Sequence, residues 1–121
     1  NVAVGASIET AAVAPTIDRI LEAQTDCLSV GVNDRTMCCL GVERESERVA
    51  SLFNPMHPAV IQLLEESAAR GRGRTFVAAA GDIAQNPELL ERLVEMGFDA
   101  VGISLPYLGT ARAQVAKWEE G

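Results

Sequence analysis

Ser29-Val30-Gly31-Val32-Asn33-Asp34-Arg35-Thr36 is the stretch on which the fold turns. Its first half completes an apolar run, Asp26 to Val32, that reads as a buried strand. Its second half offers an amide and a carboxylate side by side in a loop, from which a helix departs. Parallel α/β proteins keep their chemistry at such strand ends. Upstream, Ser7-Ile8-Glu9-Thr10 repeats the arrangement, an apolar run delivering a carboxylate. On this placement Glu9 and Asp34 are read as two ligands of one divalent-cation site.

Working outward, the chain alternates strand and helix signals. Val2 to Ile8 is a continuous small and apolar run suited to a strand buried on both faces. Pro15 fits the first turn of a helix carrying the stripe Ile17, Ile20, Leu21. A helix is expected over Asp34 to Val42, then a charged segment, Glu43 to Leu52. The Asn54-Pro55-Met56-His57-Pro58 turn precedes a helix ending near Arg70. Thr75 to Ala80 is the third strand, followed by Gly81-Asp82. Asn86 and Pro87 open another helix as N-cap and first residue, and Gly97 closes it. Asp99 to Ser104 is the fourth strand and Thr110 to Trp118 the last helix. Four βα units in series mean α/β with parallel strands. They are half of an eight-stranded barrel; periodicity alone equally allows a flavodoxin-like open sheet.

Composition narrows the function classes. The 121 residues suffice for one core, and 48% hydrophobic with 22% charged residues describes a soluble globular domain. A net charge of −7 argues against a nucleic-acid partner. No run is long enough to span a membrane. Three cysteines without CxxC spacing (Cys27, Cys38, Cys39) disfavour a disulfide framework or zinc site, so a cytoplasmic setting is expected. The chain opens inside an apolar run, which suggests a piece cut from a longer protein.

Six motifs in order carry a resemblance: Ile8-Glu9-Thr10, Ser29 to Thr36, Gly41-Val42-Glu43-Arg44, Glu47-Arg48-Val49-Ala50, Asn54 to Val60, and Gly81-Asp82. From Val4 to about Lys117 the chain resembles the C-terminal barrel of the phosphoenolpyruvate-utilising enzymes: enzyme I of the bacterial sugar phosphotransferase system, phosphoenolpyruvate synthase and pyruvate phosphate dikinase. The resemblance implies the last four βα units of a phosphoenolpyruvate/pyruvate TIM (βα)8 barrel. It implies Glu9 and Asp34 as magnesium ligands, Asn33 as a phosphate-contacting amide, and Arg44 as a cation beside the substrate phosphate. Asp82 stands where the family has a glutamate and joins the substrate-binding set. Magnesium takes oxygen ligands, commonly one or two carboxylates completed by substrate and water. Arginine offers phosphate a bidentate fork.

The chain departs from the family where the reaction needs a proton. The family's third strand ends Met-Cys-Gly-Glu, and its cysteine protonates the enolate carbon to give pyruvate. Here the run is Ala79-Ala80-Gly81-Asp82, and Ala80 has no proton to give. Val32, Arg35 and Met37 replace the usual threonine, leucine and glutamine. Cys38 and Cys39 align with non-catalytic positions, and His57 with a structural turn.

The implied function is a magnesium-dependent phosphoenolpyruvate- or pyruvate-binding domain of a phosphotransferase-like protein, impaired in catalysis. Alternatives are a 2-oxo-acid aldolase or lyase of the same superfamily, which needs no cysteine at position 80, and a non-catalytic half-barrel assembly module. Half a barrel leaves two sheet edges unpaired, so a homodimer or docking onto another barrel half is expected. Plainer roles compete for each site residue: Glu9 and Asp34 as helix-start carboxylates, Arg44 in an exposed ion-pair face with Glu43, Glu45 and Glu47, and Asp82 as a helix cap.

Overall fold

A computed structural model describes all residues from Asn1 to Gly121. Four parallel strands form one sheet: β1 (Gly5–Ile8), β2 (Cys27–Gly31), β3 (Phe76–Ala80) and β4 (Ala100–Val101), in the spatial order 1-2-3-4. The helices between and after them are α1 (Ile17–Glu22), α2 (Val32–Leu40), α3 (Pro58–Gly71), α4 (Pro87–Met96) and α5 (Leu108–Glu120). No helix is long and apolar enough to cross a membrane.

Strand order decides what periodicity left open. A doubly wound sheet reverses direction at a switch point and covers both faces with helices. Here each strand pairs with its successor. Crossovers of one hand, repeated in one direction, stack every helix on the same face. Burial agrees. Register rows Ala6–Leu28–Val77 and Ile8–Val30–Ala79–Val101 point into the core with α1, α3 and α4. The alternate rows, Gly5–Cys27–Phe76 and Ser7–Ser29–Ala78–Ala100, are exposed or half-buried, Phe76 being 51% exposed. The sheet is therefore singly wound and bare on one side. This excludes the flavodoxin-like alternative.

Two aspartates pin the strand entries. Asp26 Oδ2 accepts from Val4 N at 2.6 Å while Asp26 N donates to Val4 O at 2.9 Å. Asp99 repeats this with Val77, at 2.8 and 2.9 Å. Both stand one residue before a strand, which shortens the expected spans at that end. The first strand is also shorter than Val2–Ile8: Val2 and Val4 are 88% and 68% exposed, with no neighbour on that edge. The fourth keeps two ladder residues, extended by Gly102 N donating to Ala79 O at 2.7 Å.

The helix caps follow the sequence. Asn86 Oδ1 accepts from Leu89 N at 3.1 Å, and Gly97 takes the left-handed conformation (φ +79°) that ends α4. His57 Nδ1 accepts from Ala59 N at 3.2 Å at the start of α3, the structural role expected of it. Pro15 does not open an α-helix; it lies in a 3₁₀ turn, Ala11–Thr16, ahead of α1.

Candidate functional site

The main correction concerns Asn33 and Asp34. They do not sit in a loop: α2 begins at Val32, directly after β2, and both residues lie in its first turn. Gly31 is the N-cap and has no side chain to offer, so the sequence carries no conventional capping signal. The helix ends two residues before the expected Val42, at a left-handed Gly41 (φ +63°), with Val42 N donating to Met37 O at 3.1 Å. Asp34 thereby gains the favourable end of the helix dipole.

Glu9, exposed just past β1, and Asp34, exposed just past β2, converge on Gly31. A Cβ built at Gly31 would stand 3.2 Å from Glu9 Cγ and 3.6 Å from Asp34 Oδ2. The absence of that one carbon leaves room beside both side chains. Ser7 Oγ donates to Glu9 Oε1 at 2.8 Å and fixes one oxygen. No group of three or more His, Cys, Asp or Glu side chains capable of holding a metal occurs in the chain. Such a two-carboxylate donor set fits magnesium, which keeps water and substrate oxygens for its other positions, and does not fit a closed structural zinc site.

A second group gathers beside it. Asp82, past the end of β3, forms an ion pair with Arg44 Nη1 through Oδ2. The same oxygen accepts from Asn33 Nδ2 at 3.1 Å, and Asp82 N donates to Asn33 Oδ1 at 3.3 Å. Arg44 is thus tied across the fold rather than to Glu43, Glu45 or Glu47. Asp82 occupies the cap position of the 3₁₀ turn Ile83–Gln85, yet its side chain makes no capping bond. Gly81 allows the approach: its φ is +147°, and a Cβ there would meet Asn33 Oδ1 at 3.0 Å. Ala80 pairs in register with Gly31 on the bare side of the sheet. Cys38 and Cys39 lie in the last turn of α2 as free thiols.

One buried polar residue escaped the sequence reading. Arg35 is fully buried, its Nη1 donating to Leu63 O at 2.8 Å and Ser67 Oγ at 2.5 Å on α3. Its Nε and Nη2 have no partner. Burial lowers its pKa from the usual arginine value, against the opposing influence of Cys39 and Glu66. The only signal in the sequence was a charged residue at a position where the resembled family has leucine.

The largest concavity, about 520 Å³, lies elsewhere, among Leu90, Phe98, Val101, Leu108 and Val115 between α4, β4 and α5. Site residues line no enclosed pocket, because strand ends on a sheet bare on one side form an open rim.

The family description "PEP-utilising enzyme, PEP-binding domain" matches residues 1–120. The chain belongs to this family of phosphoenolpyruvate-utilising enzymes. Among curated family members it is 33% identical to a probable phosphoenolpyruvate synthase of Archaeoglobus fulgidus over 96% of its own length and 16% of the relative's. It is 31% identical to the phosphoenolpyruvate synthase of Pyrococcus furiosus over 98% and 15% of the two chains. The phosphoenolpyruvate-protein phosphotransferase of Geobacillus stearothermophilus is 31% identical, over 97% and 20%. The chain spans a fifth or less of the length of these relatives.

Proposed function

We propose that this chain is a magnesium-dependent phosphoenolpyruvate/pyruvate-binding half-barrel of a phosphotransferase-like protein, and that its catalysis is impaired. The observation that carries the proposal is the convergence of Glu9 and Asp34 on the side-chain-free Gly31, next to the Asn33–Arg44–Asp82 cluster. Phosphoenolpyruvate bears a phosphate and a carboxylate on one enol carbon, and the rim offers each a counterpart. Glu9 and Asp34 would hold the cation. Asn33 donates an amide N–H to a phosphate oxygen, and Arg44 supplies a guanidinium fork. Asp82 belongs to the substrate-binding set through its contacts with Asn33 and Arg44. Bound magnesium supplies positive charge against the phosphate, the carboxylate and the enolate left when the phosphoryl group departs. Ala80, where the resembled family has its cysteine acid, offers no proton to that enolate.

Titration calorimetry of phosphoenolpyruvate with and without magnesium tests the reading, comparing wild type with Asp34→Ala. Magnesium-dependent binding lost in the variant is expected; equal binding in both, or none in either, would sink it.

The sheet edges β1 and β4 and its bare face call for a covering partner, and we propose that a second set of strands closes the barrel, from another copy or another part of a longer protein. A stable monomer of the isolated 121 residues in sedimentation equilibrium would count against this.

A further inference from the structure

Two donors from separate parts of the chain, the Asn33 amide on α2 and the Arg44 guanidinium beyond it, meet on a single oxygen, Asp82 Oδ2. That oxygen marks a place where the fold already holds negative charge. An ionised carboxylate has only acceptors, so Asp82 cannot itself hold an anion; it can only compete with one. Its side chain is not engaged in capping the turn it precedes. Nor is the pair locked away, since the Arg44 and Asp82 side chains are 40% and 47% exposed. Ion pairs of that exposure are weakly held and open to exchange.

We propose that Asp82 is an internal stand-in for the ligand's phosphate, its Oδ2 occupying the oxyanion position between Asn33 and Arg44 until a phosphate oxygen displaces it. The inference rests on the reading of Asn33 and Arg44 as phosphate donors. A phosphate monoester brings nearly two charges and three acceptor oxygens, enough to replace one carboxylate contact with several charge-assisted bonds. Inorganic anions meet the same competitor without the second anchorage that the phosphoenolpyruvate carboxylate would find on the cation held by Glu9 and Asp34. Asp82 therefore screens the donors against stray anions and lowers affinity for any ligand that must evict it. Pyruvate has no phosphate to place there and does not disturb the pair. Between ligands, Asp82 then acts as a specificity-determining residue: it opposes phosphorylated ligands and leaves pyruvate untouched.

The test uses the intact protein that carries this chain, with magnesium, and measures affinities for phosphoenolpyruvate, inorganic phosphate and pyruvate by calorimetry. In Asp82→Asn and Asp82→Ala, phosphoenolpyruvate and phosphate are each expected to bind about threefold tighter, the range in which exposed ion pairs contribute. Pyruvate affinity should not change. Adding Arg44→Gln should remove the gain, because no cation remains to be released. Wild type binding phosphoenolpyruvate while both Asp82 variants bind it equally or more weakly would overturn the inference and leave the proposed function standing. Absence of phosphoenolpyruvate binding in wild type and variants alike would overturn the proposed function, and the inference with it.

Discussion

Glu9 and Asp34 both approach Gly31, a backbone position that carries no side chain: a Cβ there would stand 3.2 Å from Glu9 Cγ and 3.6 Å from Asp34 Oδ2. Gly31 has φ −77° and ψ 111°, a conformation open to any residue, so its glycine is not required by the backbone. What it provides is room. Gly31→Ala is expected to fold with near-unchanged stability and to weaken magnesium-dependent ligand binding about tenfold, the scale of disturbing the surroundings of a metal ligand. Thermal denaturation and calorimetry on the same sample separate the two effects.

Ala80 stands in register with Gly31, on the side of the sheet that the helices leave bare. A thiol introduced there is placed beside the Glu9–Asp34 space without crowding the core. In the intact protein Ala80→Cys is expected to raise pyruvate formation from phosphoenolpyruvate by on the order of a hundredfold, the lower range for general-acid catalysis. Coupling pyruvate release to lactate dehydrogenase gives the readout. No gain would mean that the missing acid is not what limits turnover.

Arg35 leaves Nε and Nη2 unpartnered inside the fold. Removing unsatisfied buried donors while keeping the volume is neutral or stabilising, whereas removing the volume opens a cavity. Arg35→Met should therefore raise unfolding free energy by about 1 kcal/mol, and Arg35→Ala should lower it. Urea denaturation of the three proteins checks the order.

Asp18 bridges α1 to the end of α3 through Arg70 and Arg74. Its hydrogen bond with Arg74, aided by both arginine charges, holds its pKa below the usual aspartate value. A carboxyl with a depressed folded-state pKa contributes stability above its unfolded value, which is lost as pH falls through the folded one. Asp18→Asn should be less stable than wild type at neutral pH. The difference should fade below roughly pH 4 and shrink in high salt, since the pair is exposed. Denaturation midpoints across pH measure it.

Gly81 holds a φ of +147° with Asn33 Oδ1 3.0 Å from where a Cβ would lie. Gly81→Ala is expected to cost about 1–3 kcal/mol, visible as a lowered melting temperature, and to displace Asn33 from Asp82.

Much of this fold could be read from local chemistry. Asn86 and Gly97 announced their caps because each acts within a few residues of itself; His57, expected only to be structural, proves to be the cap of α3. Apolar runs placed all four strands. Their ends were misjudged where pairing sets the limit: Val2 and Val4 are as apolar as the residues that follow, but Val4 N is taken by the Asp26 side chain and the ladder with β2 starts only at Gly5. Asn33 and Asp34 read as loop because a glycine N-cap looks like a turn. The Arg44–Asp82 pair spans 38 positions, and nothing near either residue foretells it. Arg35 stands out in the sequence only as a replacement for the family's leucine, and its burial follows from α3 packing over it. The roles of the site residues came from the resemblance to a family; spacing alone supplied only the suspicion about Glu9 and Asp34.

The register row Ser7–Ser29–Ala78–Ala100 crosses the whole sheet on its uncovered face. In closed parallel barrels the interior is filled by stacked layers of side chains, mostly bulky and branched. A wall of serine and alanine contributes little volume to such a layer. If a second set of strands closes this sheet as proposed, the side chains of that other wall, together with Phe76 of this one, would have to supply the bulk and so set the diameter of the enclosed space.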